Sequence, residues 1–159
     1  MEREQLLKAF TATVHASLLG LRKLEPALQR ERQALNSQDA DHLADAVRDK
    51  LDKLKAVEPS IVARDRLQRA SGLEVGIDGG ARLVDALGDE DLRLQWNELT
   101  RLAGEVARLN DVNGSIVAQS ERTTRSALEI LTGRPRNDVT YSELRRRQSG
   151  SAKHFLGKG

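Results

Sequence analysis

Three histidines, one glycine-rich stretch and a few paired charges are the residues in this chain whose types could do chemistry. His15, His42 and His154 are scattered, whereas a metal site needs ligands at short, fixed spacings. His15 follows the apolar Val14 on a side that should face solvent. His42 stands among Asp39, Asp41 and Asp45, where carboxylates at the start of a helix read as caps. No serine has a histidine and a carboxylate placed to activate it, and without cysteine there is neither thiolate chemistry nor a disulfide. Gly72, Gly76, Gly79 and Gly80 resemble a phosphate loop only superficially. Ala81-Arg82 follows where Lys-Ser/Thr would be required, and no strand precedes. These residues predict no catalytic group, no cofactor site and no metal site.

Other polar residues stand out by position. Glu31 and Lys50 both fall on apolar seams, where a paired charge fixes the alignment of two helices far more often than it catalyses. Asn110 and Asn113 interrupt a third seam, and polar seam residues set register at some cost in stability. Gly114 follows them, and a glycine inside a helix points to a bend or to another backbone close by. Arg145-Arg146-Arg147 could contact phosphates. With aromatics at 3% there is little to stack on bases, so a protein-binding arm is the preferred reading and no nucleic-acid partner is expected.

Long helices must position these residues. Ala, Glu, Lys, Leu and Arg make up about half of the 159 residues, a proportion that with helical periodicity points to long helices or coiled coils. The first helix spans about 3–35, with Leu7, Val14, Leu21, Leu28 and Leu35 at every seventh residue, Phe10 and Leu24 between them, and Ser17 and Glu31 on the same seam. Pro26 should kink it without ending it, since the seam keeps register. Asn36-Ser37-Gln38-Asp39 is a tight connection, with Asp39 as the cap of a second helix over 40–70. That helix carries Leu43, Val47, Leu54, Val57 and Ile61, with Leu51 and Leu67 broadening the stripe, and Pro59 bends it. So short a connection forces an antiparallel hairpin, placing Leu35 beside Leu43, Leu21 beside Val57 and Lys50 one turn from Glu31. Residues 71–80 read as a mobile glycine loop and 81–87 as a short helix ended by Gly88.

A final helix over 89–132, about 65 Å long, runs antiparallel to the second. Leu92, Leu99 and Val106 recur every seven residues with Leu102, Leu109 and Ile116 interleaved, and the seam turns polar at Asn113. The hairpin offers only about 45–50 Å, so the turns beyond about Ala118 should project past it. Residues 133–159 hold seven basic groups against Asp138 and Glu143 and should form a flexible basic tail. The expected fold is thus all-α: an elongated, antiparallel, coiled-coil-like bundle over 1–132 with a projecting helix end, then the tail. The amino terminus, Met-Glu-Arg-Glu-Gln, lacks the plan of a signal peptide and no apolar run is of membrane-spanning length, so a cytoplasmic protein without membrane insertion is expected.

The segment Leu109-Asn110-Asp111-Val112-Asn113-Gly114-Ser115-Ile116-Val117, followed by Leu128-Glu129-Ile130-Leu131-Thr132-Gly133 and Thr140-Tyr141, resembles the FlgN family of flagellar export chaperones. Glu31-x-x-Ala34-Leu35, Arg64-x-x-Leu67, the glycine loop and Trp96 fall in the family's order. Its core motif maps here onto Leu109, Asn110, Asn113, Gly114 and Ile116. The tail departs most, and no aromatic stands within Gln119 to Thr124. The resemblance implies a chaperone, not an enzyme, that holds hook–filament junction proteins unassembled and passes them to the flagellar type III export apparatus. Leu128, Ile130, Leu131, Tyr141 and Leu144 are then the expected cargo surface, and a monomer is expected without cargo. Two other readings stay open: a coiled-coil adaptor that self-associates through 118–132, and nucleic-acid binding through the tail.

Overall fold

A computed structural model describes residues 1–132, and Tyr141, Leu144 and the predicted basic tail lie outside them. The chain divides into two compact units, 1–118 and 119–159. The described residues hold four α-helices, α1 (Arg3–Ser37), α2 (Ala40–Ala70), α3 (Ile77–Leu87) and α4 (Glu90–Thr132), and no strand. The all-α expectation stands, with long-helix boundaries within two residues of those read from the seams. Pro26 and Pro59 both lie inside unbroken helices.

The α1–α2 turn is built as its residues dictate. Gln38 takes the left-handed conformation (φ 54°), and the Asp39 side chain accepts the His42 backbone N–H at 3.0 Å. The hairpin register follows: Ser17 meets Ser60, Arg30 meets Asp49, and Lys50 reaches Glu31. The Ser60 hydroxyl gives its one proton to the Val57 carbonyl (2.7 Å), so at the 2.9 Å Ser17–Ser60 contact Ser17 must be the donor.

The leucine hairpin read from the seams is not what holds α1 to α2. Of the α2 stripe only Val57 is buried; Leu43, Val47 and Ile61 are half-buried, and Leu51 and Leu54 are 49% and 42% exposed. Small residues make the contact instead. A Cβ on Gly20 would lie 2.6 Å from Val57 Cγ2, and the buried Ala34 and Ala46 line one shared cleft. Close approach at small side chains leaves the larger α2 side chains outside the contact, which a seven-residue count cannot reveal.

The apolar core of residues 1–118 lies between α1, α3 and the start of α4. Phe10, Val14, Leu18, Leu24 and Leu28 meet Leu92, Trp96, Leu99, Leu102, Val106 and Leu109, with Leu83, Val84 and Leu87 closing one end. Phe10 and Trp96 rings lie 5.9 Å apart, and Asn113 reaches Leu28 and Glu31, so α4 runs parallel to α1 and antiparallel to α2. Asp89 caps α4 by accepting the Leu92 N–H at 2.8 Å.

The glycine-rich stretch corrects the predicted mobile loop. α3 begins at Ile77, four residues before the expected start, so Gly79 and Gly80 are helical and buried. Added Cβ atoms would lie 1.7 Å from the Glu74 carbonyl oxygen at Gly79 and 2.1 Å from Trp96 Cη2 at Gly80. Glycine is there for close approach. The buried Gln68 pins the remaining turn by donating from Nε2 to the carbonyls of Gly76 (2.8 Å) and Glu74 (3.2 Å). At the other end of α3, Gly88 takes a left-handed φ of 62° and Arg3 donates to the Leu87 carbonyl.

Candidate functional site

The two seam positions that carry charge come together with the seam asparagine. Asn113 Nδ2 donates to Glu31 Oε1 at 2.9 Å and to the Leu28 carbonyl at 3.0 Å, and the Lys50 ammonium lies 2.6 Å from Glu31 Oε2. Asn113 is 1% exposed and Glu31 4%, so this clasp joins α1, α2 and α4 out of water. Burial of the carboxylate is tolerable because Oε1 accepts from Asn113 and the Lys50 ammonium offsets the charge beside Oε2. The Glu31–Lys50 pairing is as the seams predicted. That Asn113 would be its third member was not, although its place on the α4 seam was the available signal.

The other core-motif residues separate. Leu109 is buried, Ile116 is half-buried, and Asn110 and Gly114 are exposed. No backbone approaches Gly114, where an added Cβ would meet nothing within 4 Å. Asn110 is therefore no seam residue; its position falls on the outer side of α4.

Leu128, Ile130 and Leu131 lie near the end of α4 and are 55%, 79% and 81% exposed. Leu128 and Leu131, three apart, share a helix face, whereas Ile130 projects about 100° away from Leu131. Val117 on α4 and Val62 on α2 are further apolar surface residues, each 41% exposed, and Leu51 and Leu54, expected on the α2 stripe, are exposed as well.

Neither described histidine joins a set of metal ligands. His15 and His42 are exposed, and His42 Nδ1 lies 2.6 Å from Asp39 Oδ2, within the cap. The His42 backbone N–H holds the Asp39 carboxyl below the usual carboxylate range. Among the described residues no group of three or more His, Cys, Asp or Glu is placed to hold a metal, and no helix is long and apolar enough to cross a membrane.

Arg64 and Trp96, far apart in sequence, also meet: the Arg64 guanidinium sits over the indole, 5.9 Å from the ring centroid. Two of the resemblance's outlying elements thus meet at the α3 end of the bundle, and the Asn-Gly core lies at the other.

By fold, then, this is an all-α bundle whose buried polar residues lock helices to one another. The family model described as FlgN protein matches residues 1–146, and the chain belongs to that family of flagellar export chaperones. Comparison with curated proteins gave no match, and neither did comparison with solved structures.

Proposed function

We propose that this chain is a cytoplasmic chaperone that binds hook–filament junction (hook-associated) proteins, prevents their premature assembly and delivers them to the flagellar type III export apparatus. Family membership supports an export-chaperone role in general. The observation that carries the cargo assignment is the apolar helix end. Leu128, Ile130 and Leu131 leave most of their side-chain surface to water, where burial of each against a partner would be worth about 1.5–3 kcal/mol. An amphipathic segment of the cargo would gain that burial, as in helix-in-groove recognition. Tyr141 and Leu144, outside the described residues, complete the proposed surface.

The test is co-purification with junction proteins. Removing residues 126–159 abolishes capture, and replacing Leu128, Ile130 and Leu131 together by serine weakens it at least about tenfold by the same burial arithmetic. Full-strength capture by the shortened chain would sink the assignment.

A further inference from the structure

Past Leu109 the full apolar burial that holds α4 to the hairpin ends, and Val112 and Ile116 are only half-buried. Between Asn110 and Ala118 the one buried side chain is Asn113, and its ties to α1 are hydrogen bonds to Leu28 and Glu31. Asn113 Oδ1 is buried without a hydrogen-bond partner, a desolvation cost that opening to water would remove. If Asn113 withdrew, Glu31 would keep Lys50, so no buried charge would be left alone.

The next two residues weaken the helix at the same place. An added Cβ on Gly114 would meet nothing within 4 Å, so the closed helix gives no steric reason for a residue that lowers helix stability. Ser115 donates its hydroxyl to the Asp111 carbonyl at 3.0 Å, and such back-bonding loosens and bends helices. Gly/Ser pairs are among the usual places where helices kink. Gly104 provides the contrast: it too has open space, but it lies between the buried Leu102 and Val106, which hold it in place on both sides.

We propose that Asn113-Gly114-Ser115 is a hinge in α4, about which residues 110–118 open locally while residues 90–109 stay packed, with the Asn113 hydrogen bonds as the catch. The hinge belongs to the chain alone and does not depend on what the protein binds.

Hydrogen exchange on the full chain tests it. Amides of 110–118 should exchange at least about tenfold faster than those of 92–109, by an opening that leaves the latter protected. Two alanine substitutions that both fit sterically then separate local from global opening. Gly114→Ala slows exchange of 110–118 about fivefold, because the hinge is helical only in the closed state. Gly104→Ala slows 92–109 but leaves 110–118 unchanged, because residue 104 stays helical during local opening. Equal protection on both sides of Leu109, or equal slowing of 110–118 by both substitutions, would overturn the hinge.

Discussion

At the scale of single residues, the clasp is where polarity and burial conflict. Removing one partner should cost far more than removing all of them. Lys50→Met strands a carboxylate that is 4% exposed and should cost about 3–5 kcal/mol in a urea titration. Replacing Glu31, Lys50 and Asn113 together by Leu, Met and Leu should be neutral or stabilising, because the buried polar groups are then gone and apolar contact takes their place. If the triple variant is as unstable as Lys50→Met, the clasp is a source of stability and not chiefly a device for alignment. Glu31 and Lys50 were legible because an antiparallel fold about Asp39 brings their positions together. Asn113's partners were not, because a seam tells which residues face a neighbour but not which neighbour, and α4 faces two.

At the scale of elements, caps and stripes were legible to different degrees. Asp39 acts as the cap its position before an apolar-periodic run implies, whereas Asp89, expected as the first residue of the long helix, stands just before it and caps it. The Asp39 carboxyl titrates lower in the folded chain than its ordinary value near about 4, so between the two values the unfolded chain binds more protons. Its contribution to stability is therefore present above about pH 4 and lost as the pH falls through the folded value. Asp39→Asn keeps an acceptor at the cap but should flatten that part of the acid limb when urea midpoints are compared between about pH 3 and pH 6. An unchanged acid limb would refute the assignment. The α2 stripe, by contrast, misled. Leu51 and Leu54 have core spacing, but close approach at Gly20 and the paired serines sets the α1–α2 distance without them. Nor was the start of α3 legible. Glycines at 79 and 80 read as breakers until Glu74 and Trp96 are seen pressed against them, and that contact depends on tertiary structure.

At the scale of the whole molecule, the family's role and the distribution of apolar surface bear on association. Leu51, Leu54 and Val62 on α2 and Leu128, Ile130 and Leu131 on α4 are exposed on different elements. A chain with the proposed role should not itself polymerise through these stripes. Light scattering across a concentration series should accordingly return a monomer mass in the absence of cargo. A mass that climbs with concentration, and falls back when Leu128, Ile130 and Leu131 become serine, would favour the self-associating adaptor instead.

The packing around Trp96 also decides what light can report. It is the chain's one tryptophan, and it lies among Phe10, Gly80 and the Arg64 guanidinium. Its emission therefore follows the α3 end of the bundle and is insensitive to the turns around Asn113. Far-ultraviolet circular dichroism weighs every helical turn alike. If the Asn113 end melts first, the two optical signals give different midpoints, and the intrinsic fluorophore reports the later one.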